Sequence, residues 1–496
     1  MTKIKISGKE IICCIVLSIL YVFGILLSTG TLFSGYHLID DHEIIKYNYW
    51  NNMEPHSLYE LLTGGFGWKW ERFRPLYEII RRIRCILFGD NLLIWSIIVA
   101  LEIVLIIVCS YCFARLWGSN HFFSLIYSLL VVSGEQSAIW WRLGPQEPLG
   151  TLFLIIALLC FQIHVISDKK KWMVFGIISA LLCTMTKESF TIMLPFIIIL
   201  MLVFFVWNSN EEHNLKAYVD AIKRYSMVIV FCIVVFCAEI IYIFVNVGIN
   251  SVGYAGIDNE LSVLGYIKRM GGMLLFRFSI YFWLIVSVAV VSATYMFIKG
   301  TLKRFIFEKW DICAVSVLII LTQVFLYAKS GMFERYYLPS TIAIAMLLTI
   351  TLNGVFEEKQ FERIYGAIIL ACLLFLLINK VIPNAISFTR IGNDFTNCME
   401  YVKTECDKDA YILAMGKADE ENFGIESYMQ YCLGYKHVVS YDMGSYHDKV
   451  IVYSDEIKIS DNSKIEYIIA DEKLPRVDGF DIEADFGSFY LMKKVI

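Results

Sequence analysis

Charged residues are scarce in this sequence, and neither sign predominates. They make up 18% of the 496 residues, and the formal net charge is -4. Binding to nucleic-acid phosphates needs a concentration of Lys and Arg that this near-neutral balance does not supply. The composition therefore argues against a nucleic acid as a partner.

Motifs for metals and nucleotides are also lacking. Cys109 and Cys112 have the CxxC spacing of zinc ligands, but they lie inside an apolar run and have no second pair. The polar C-terminal part contains no GxGxxG or P-loop pattern. We therefore expect no cofactor, and a divalent metal has no support in the sequence. Cys398, Cys406 and Cys432 lie in the polar C-terminal part and leave room for one disulfide.

Long apolar runs fill the sequence instead. Hydrophobic residues make up 58% of it, and the mean hydropathy is +0.61, values typical of a multi-span membrane protein. Because a membrane-crossing helix needs about 20 apolar residues, we predict an α-helical polytopic membrane protein with about eleven transmembrane helices. The predicted spans are Ile11–Ser28, Leu92–Phe113, Phe122–Ile139, Leu149–Ile166, Trp172–Met185, Phe190–Trp207, Met227–Val247, Met273–Ile298, Ile312–Ala328, Leu338–Leu352 and Ala367–Val381.

The distribution of positive charge sets the predicted topology. Lys3, Lys5 and Lys9 precede the first span, and alternate loops carry the later clusters of Lys and Arg. Positive residues favour the cytoplasmic side of a membrane. We therefore place the N-terminus in the cytoplasm and the C-terminus outside, in a multi-pass protein of the plasma membrane. The arginine-rich segment 69–84 violates this bias on the outer side, and such a violation needs a specific reason.

Two domains are predicted. Residues 1–388 form the transmembrane domain, which includes a long first outer loop, residues 29–91, rich in aromatic residues and in short helical patterns. From residue 389 onward the composition turns polar, and short apolar runs alternate with helical patterns. Residues 389–496 are therefore predicted to form a small extracytoplasmic α/β domain.

An acidic cluster, Asp40-Asp41-His42-Glu43, follows the first span. On the predicted topology these carboxylates lie at the outer face of the membrane, where one of them is placed to take a proton from a hydroxyl group. A structural alternative is that Asp40 caps the helix beginning at His42, with Glu43 completing a variant of the capping box. The two interpretations are compatible, because a capping carboxylate is held in a fixed direction.

Cations and aromatic residues recur at the same predicted face. Arg72 and Arg74 lie late in the first loop, where a guanidinium group can bind phosphate oxygens in pairs. Attraction to anionic lipid headgroups is the alternative. The short turn with Trp141, Arg142 and Glu147 offers a flat apolar surface beside a cation, which suits a sugar ring next to a phosphate. An ordinary solvated turn is the alternative there.

Five short motifs occur in order on this face. They are Asp40-Asp41, Arg72-Phe73-Arg74-Pro75-Leu76, Gly144-Pro145-Gln146-Glu147-Pro148-Leu149-Gly150, Thr186-Lys187-Glu188-Ser189 and Glu334-Arg335-Tyr336-Tyr337-Leu338-Pro339. As a set they resemble membrane glycosyltransferases of the GT-C fold. The resemblance is to the kind that uses a dolichyl- or polyprenyl-phosphate sugar, such as protein mannosyltransferases and aminoarabinose transferases. It covers roughly residues 11–353.

The resemblance implies an inverting transfer of a sugar from a polyprenyl-phosphate-linked donor, held among the membrane lipids, to a glycan, lipid or protein acceptor of the cell envelope. Asp40 or Asp41 would be the catalytic base. The residues that would bind the donor phosphate are Arg72, Arg74, Lys187 and Arg335. Those that would contact the substrates are His42, Glu43, Trp141, Arg142, Glu147, Glu188 and Tyr336. The two acids are adjacent, unlike the D-x-D of metal-using relatives, so no metal site is implied.

Two other functions stay open on the sequence. Glu102, Glu135 and Glu239 lie within or near predicted spans, where ionisable groups are costly and commonly functional. A multi-span transporter or flippase of lipid-linked sugars is therefore the main alternative. The third is a non-catalytic envelope assembly protein whose C-terminal domain binds a partner.

Overall fold

The computed structural model describes residues 6–38, 40–53, 55–63, 72–209, 215–248, 261–277, 279–330, 334–350, 359–416, 419–440, 450–453, 456–459, 464–471 and 477–495. Helices dominate this part of the chain. They are α1 (Gly8–Thr29), α2 (His42–Met53), α3 (Leu58–Thr63), α4 (Pro75–Phe88), α5 (Leu92–Leu116), α6 (His121–Val132), α7 (Glu147–Ser167), α8 (Lys170–Thr184), α9 (Glu188–Thr191), α10 (Met193–Asn208), α11 (Leu215–Arg224), α12 (Ser226–Tyr242), α13 (Val263–Gly272), α14 (Ser279–Ile298), α15 (Leu302–Leu326), α16 (Leu338–Ala345), α17 (Lys359–Leu376), α18 (Ile382–Glu405) and α19 (Asp419–Ser427).

Short turns of 3₁₀ or π helix join or extend several of these helices. They are Thr31–Phe33, Glu135–Trp141, Ile243–Val247, Met273–Arg277, Glu334–Tyr337, Met346–Ile350, Leu377–Val381 and Tyr428–Leu433.

Eight helical segments within the described residues are long and apolar enough to cross a membrane. They correspond to eight of the predicted spans and confirm an α-helical polytopic membrane fold. The other three predicted spans are shorter helices: α6, α8, and α16 with its π extension Met346–Ile350. The count of about eleven spans stays a prediction.

The centre of the bundle is formed by α5, α6, α7 and α10, whose apolar side chains pack in one continuous core. Trp117 after α5 contacts Phe204 and Trp207 of α10, with ring centroids 4.4 and 4.8 Å apart. Such close packing in a membrane protein relies on dispersion contacts, because lipid tails are as apolar as the side chains. These four helices therefore form a rigid frame for the connections at their ends.

A break after α6 creates one of those connections. The helix ends at Val132, and a 3₁₀ segment, Glu135–Trp141, leads into the turn before α7. The Tyr281 hydroxyl donates to the carbonyl of Leu130 at 2.9 Å, so it packs against the end of α6. A Cβ at Gly134 would overlap with that hydroxyl. Only glycine therefore allows α14 to approach this break.

The loop after α1 contains the short helices that the sequence predicted. Gly30, with φ of +77°, ends α1, and Pro75 occupies the first turn of α4, where its missing N–H costs no helical hydrogen bond. The arginines of α4 are paired internally: Arg81 contacts both Glu43 and Glu78. This pairing supplies a reason for the arginine-rich segment that breaks the charge bias.

Helix α18 runs without interruption from the bundle into the C-terminal domain, so the predicted boundary at residue 389 lies inside one helix. We call the end of the bundle that bears this domain the domain end. The strands that follow are β1 (Tyr411–Met415), β2 (His437–Ser440), β3 (Val450–Tyr453), β4 (Glu456–Ile459), β5 (Tyr467–Asp471), β6 (Val477–Asp478), β7 (Phe480–Asp485) and β8 (Phe489–Lys494).

The larger sheet has the order β2-β1-β5-β8-β7. Strand β1 is parallel to β2 and β5, whereas β8 is antiparallel to β5 and β7. A second sheet has the order β3-β4-β6. Short apolar runs in the sequence predict strands at residues 411–415, 437–441, 449–453, 466–470 and 488–493. These correspond to β1, β2, β3, β5 and β8, whereas β4, β6 and β7 are missed. The missed β7 is an edge strand in which apolar and acidic residues alternate, but Phe480 is its only buried residue.

All fourteen cysteines lie in the described residues and are free. The disulfide for which the sequence left room is therefore absent. Cys398 and Cys406 are both on or directly after α18, eight residues apart, which is about 12 Å along a helix axis and too far for a disulfide. Cys432 is exposed, whereas those two thiols are buried.

The C-terminal domain packs directly on the segment that precedes the acidic cluster. The Tyr36 hydroxyl donates to the carbonyl of Gly424 at 3.0 Å, and its ring contacts Phe395 and Tyr428 at centroid distances of 5.4 and 5.3 Å. Leu38 is buried in the same cluster with φ of +65°, a left-handed conformation that a leucine rarely adopts. The domain therefore holds this segment in an unfavourable backbone conformation.

Replacing Gly424 with alanine tests this contact. Its Cβ would lie 3.1 Å from both Cα and Cβ of Leu38, so we expect Gly424→Ala to reduce the free energy of unfolding by about 1–3 kcal/mol. The measurement is thermal unfolding of the purified protein in detergent. Gly271→Ala is the matched control, because that helical glycine has no neighbour within 4 Å of an added Cβ. Equal melting temperatures for the two variants would contradict the contact.

Candidate active site at the domain end

Asp41 joins the first loop to the turn before α7. Its side chain is fully buried. Oδ2 accepts a hydrogen bond from the backbone N–H of His37 at 3.0 Å, and Oδ1 accepts from the backbone N–H groups of Leu143 and Gly144 at 3.2 and 2.9 Å. A buried carboxylate needs such donors because an unpaired one is costly. Asp41 is therefore a structural anchor with both oxygens occupied.

Asp40 lies beside this anchor in a different environment. Its φ is +66°, and its Oδ2 accepts a hydrogen bond from Nη1 of Arg335 at 3.0 Å. The side chain remains 23% exposed. Burial raises the pKa of this carboxyl, but the positive charges of Arg335, Arg142 and Arg74 outweigh that effect and hold the pKa below its ordinary value. Asp40 is therefore an ionised and accessible carboxylate at neutral pH.

Gly144 lets the Asp40 backbone lie directly against the turn. A Cβ at Gly144 would overlap with the carbonyl group of Asp40, so no larger residue fits without movement. The Tyr77 hydroxyl of α4 donates to the Gly144 carbonyl. The position of Asp40 is thus fixed by the turn on one side, and the turn is fixed by α4.

A buried ion pair between Lys187 and Glu147 lies in the same region. Nζ of Lys187 donates to Oε1 of Glu147 at 2.6 Å, and each side chain is 2% exposed. The second carboxylate oxygen, Oε2, has no hydrogen-bond partner among the described residues. Buried polar atoms are nearly always hydrogen-bonded. This oxygen is therefore an acceptor that a hydrogen-bond donor of a ligand can satisfy.

Tyr336 connects the ion pair to Arg335. The Lys187 ammonium lies 4.3 Å from the centroid of the Tyr336 ring, and the Arg335 guanidinium carbon lies 5.2 Å from it. The ring also stacks on Tyr327, with centroids 4.5 Å apart and an interplanar angle of 9°. Two cations thus share one aromatic ring that is itself held in place.

The Arg72–Arg74 segment is attached to the start of α9. The backbone N–H of Phe73 donates to Oε1 of the buried Glu188 at 3.2 Å. Arg72 and Arg74 therefore flank Phe73, whose backbone is bonded to Glu188, the residue that follows Lys187. The structure brings Arg74 close enough to act on the pKa of Asp40. Glu188 itself supports this segment through its carboxylate.

The turn before α7 contributes Arg142 and Trp141. The Arg142 guanidinium lies 4.8 Å from the centroid of Phe388 on α18, and its charge acts on Asp40. Burial and the like charge of Arg335 lower the pKa of Arg142. Trp141 is only 4% exposed and packs in the core of the bundle. Its ring is therefore a support for the turn, whereas the predicted flat surface is not exposed.

Asp40 and Glu43, the two acids considered for a capping box at α2, both have arginine partners in the structure. Glu43 pairs with Arg81 rather than with the backbone before the helix. Asp40 directs its carboxylate to Arg335. His42, the first residue of α2, is partly buried, and burial lowers its pKa. The stronger charged partners, brought close by the fold, displace the local capping interaction.

Three residues of the site were not singled out in the sequence. His37 donates its backbone N–H to Asp41, Tyr77 bonds to Gly144, and Tyr327 stacks on Tyr336. His37 and Tyr77 belong to the first loop, which the sequence marks as rich in aromatic residues. The role of Tyr77 depends on Gly144, which is 67 residues away in the chain. The role of His37 depends on the conformation of the loop between it and Asp41. No local pattern identifies such contacts.

The glutamates that suggested a transporter have different surroundings in the structure. Glu102 pairs with Arg84, and Glu239 accepts a hydrogen bond from the Thr184 hydroxyl at 2.7 Å. The Glu135 side chain lies outside the described residues. Glu102 therefore has a cationic partner, whereas Oε2 of the buried Glu239 has no hydrogen-bond partner among the described residues, so only the charge of Glu102 is explained by pairing.

Metal binding has no cluster of ligands in the described ranges. No group of three or more His, Cys, Asp or Glu side chains is arranged there to hold a metal ion. The expectation of a cofactor-free protein stays a prediction.

Comparisons with known proteins give a likeness in structure only. No protein-family model and no curated protein sequence matches the chain. Two matching structures are of ArnT from Cupriavidus metallidurans. The apo form is 13% identical, covers 96% of this chain and 97% of its own, and has a TM-score of 0.48. The form bound to undecaprenyl phosphate is 12% identical over 97% and 98%, with a TM-score of 0.45.

A third match is the archaeal oligosaccharyltransferase AglB from Archaeoglobus fulgidus, in complex with an inhibitory peptide and a dolichol-phosphate. It is 13% identical, covers 93% of this chain and 69% of its own, and has a TM-score of 0.45. ArnT, an aminoarabinose transferase, and AglB are both GT-C fold membrane glycosyltransferases. This is the family that the sequence motifs resemble.

Different substitutions should separate the anchor from the accessible carboxylate. Asp41→Ala leaves three buried backbone N–H groups without their acceptor, so we expect it to reduce the free energy of unfolding by about 1–3 kcal/mol or more. Asp40→Asn should change the unfolding temperature much less. Thermal unfolding in detergent measures both, with Asp481→Ala on the exposed edge strand as control. Equal loss at Asp40 and Asp41 would contradict the assignment.

Proposed function

We propose that the protein is an inverting glycosyltransferase. It moves a hexosyl or pentosyl group from a polyprenyl-phosphate donor to a glycan, lipid or protein acceptor of the cell envelope. The domain end would face outside the cell, with the N-terminus in the cytoplasm and the C-terminal domain extracytoplasmic. The single observation that carries the proposal is the ion pair of Asp40 with Arg335, set beside the Lys187–Glu147 pair and two further arginines.

Asp40 is the better candidate for the catalytic base. It is ionised, partly exposed and free to exchange Arg335 for another partner, whereas both oxygens of Asp41 are bonded to backbone N–H groups. A general base must reach the proton that it removes and be unprotonated at working pH. Asp41 would serve by holding Asp40 in position.

Arg335, Lys187, Arg74 and Arg72 would bind the donor phosphate. The phosphodiester of the donor carries one negative charge, and the monoester that leaves carries up to about two at neutral pH. Cations beside the leaving oxygen therefore bind the departing phosphate more strongly than the donor, which is the requirement for lowering the barrier. Tyr336 holds Lys187 and Arg335 near each other.

The proposed step is a single displacement. The acceptor hydroxyl oxygen forms a bond to the anomeric carbon from the face opposite the phosphate. The bond between that carbon and the phosphate oxygen breaks, and its electron pair leaves with the polyprenyl phosphate. The hydroxyl proton passes to Asp40. Arg142, Glu147 and Tyr336 would line the sugar. The residues that would support this site are His42, Glu43, Glu188 and Trp141.

Binding of the donor would also activate the base. In the free protein Arg335 holds the pKa of Asp40 low, so the carboxylate is a weak proton acceptor. A phosphate that binds Arg335 places negative charge next to Asp40 and shares its cation. Both effects raise the pKa of Asp40. The base would therefore strengthen only when the donor is in place.

Asp40→Asn is the direct test of the proposed function. Loss of a general base lowers the rate by about 10²–10⁴-fold. The assay uses purified protein in proteoliposomes with polyprenyl-phosphate-linked hexoses and amino sugars labelled in the sugar, and it measures label that leaves the lipid. Asp481→Asn, on the exposed edge strand, is the control. Full activity of Asp40→Asn, or label that crosses the bilayer while still on its lipid, would overturn the proposal and favour a flippase.

The pH dependence provides a second test. The base must be unprotonated, so activity falls as the pH drops through the pKa of Asp40. Because donor binding would raise the pKa of Asp40 in this scheme, the acid limb of kcat should lie at higher pH than that of kcat/KM. Arg335→Gln removes the main positive charge, so it should shift the acid limb of kcat/KM to higher pH and reduce kcat. An unchanged limb in this variant would contradict the coupling.

A further inference from the structure

A polar pocket lies at the far end of the α2–α4 pair from Asp40. Its volume is about 370 Å³, within the range of about 300–1,000 Å³ typical of small-molecule sites. Asn48, Asn51 and Asn52 of α2 line one side of it. The other side is lined by Leu61 of α3 and by Cys85, Ile86, Gly89 and Asp90, at and after the end of α4.

The two helices connect this pocket to the proposed active site. Glu43 on the first turn of α2 pairs with Arg81, and the Cys85 thiol one turn later donates to the carbonyl of Ile44. Farther along, the amide of Asn48 lies against Gly89. At 1.5 Å per residue, the three asparagines are roughly 10–15 Å beyond the start of α2. One continuous helix pair therefore runs from Asp40 to the pocket.

The groups that line the pocket suit neutral hydroxyl groups. An amide offers two N–H donors and a carbonyl acceptor, which match a hydroxyl that both donates and accepts. Nδ2 and Oδ1 of Asn51 are shielded from solvent, and neither has a hydrogen-bond partner among the described residues. Nδ2 of Asn52 is 3.4 Å from Oδ1 of Asn48, a long contact that leaves both amides open to stronger bonds.

The same lining disfavours an anion. The described residues that line the pocket include no Lys or Arg, and Asp90 adds a negative charge. A phosphate, a carboxylate or an anionic lipid headgroup needs positive partners. The pocket therefore differs in chemistry from the arginine-rich region around Asp40.

We infer that this pocket binds a neutral sugar unit of the acceptor, at a distance from the hydroxyl that is glycosylated. The inference rests on the proposed function and deepens it, because it assigns the acceptor to the class of glycans rather than proteins or simple lipids. Because the three asparagines lie roughly 10–15 Å beyond the start of α2, the bound sugar unit and the reacting hydroxyl would belong to different parts of the acceptor. The acceptor would lie along the α2–α4 pair with its reacting end at Asp40.

The test is a binding measurement that does not depend on transfer. The purified full-length protein in detergent is titrated with the methyl glycosides of glucose, galactose, mannose and N-acetylglucosamine, and saturation-transfer NMR records contact with each. We expect at least one glycoside to bind to the wild type and to Asp40→Asn. Asn51→Leu should weaken that binding at least tenfold, since it removes both unpaired amide atoms at similar volume.

Asn208→Leu is the matched control, because this asparagine lies at the end of α10, away from the pocket. Thermal unfolding checks that Asn51→Leu is folded, and Asn52→Leu provides a second variant if it is not. No glycoside binding to the wild type, or equal binding to the wild type and both pocket variants, would overturn the inference. Loss of transfer in Asp40→Asn alongside such a result would leave the proposed function intact, so the two failures are distinguishable.

Discussion

The buried carboxylate of Asp41 is the interaction on which the rest of the site depends. It gathers backbone N–H groups from His37 in the first loop and from Leu143 and Gly144 in the turn before α7. A carboxyl group buried in a core is stable only when its oxygens accept hydrogen bonds. Those bonds therefore hold the two segments together. They also set the direction of Asp40, the residue that precedes Asp41.

Around this anchor the fold concentrates positive charge beside one carboxylate. Arg335, Arg142 and Lys187 act on one accessible carboxylate within a region of buried aromatic residues. Holding several cations together is costly unless anions balance them. Asp40 and Glu147 provide that balance in the protein alone, and a phosphate would provide it in the proposed complex.

The C-terminal domain belongs to this arrangement. Tyr36 and Leu38, just before the acidic pair, are buried against Gly424 and Phe395. Two non-glycine residues here, Leu38 and Asp40, adopt positive φ values, each costing roughly 1–3 kcal/mol and persisting only under tight packing. The C-terminal domain, whose sequence does not indicate a protein family, thus holds the backbone next to the proposed base in its conformation.

The sequence by itself determined eight of the membrane spans, the short helices of the first loop, most strands and the motifs that meet at the site, because apolar runs, periodicity and charge are local properties. It left Asp40 and Asp41 equivalent. Only the tertiary structure separated them, since Arg335 and Gly144 approach from positions 295 and about 100 residues away in the chain. Which carboxylate is anchored and which is accessible is a matter of distant partners, and no local pattern encodes it.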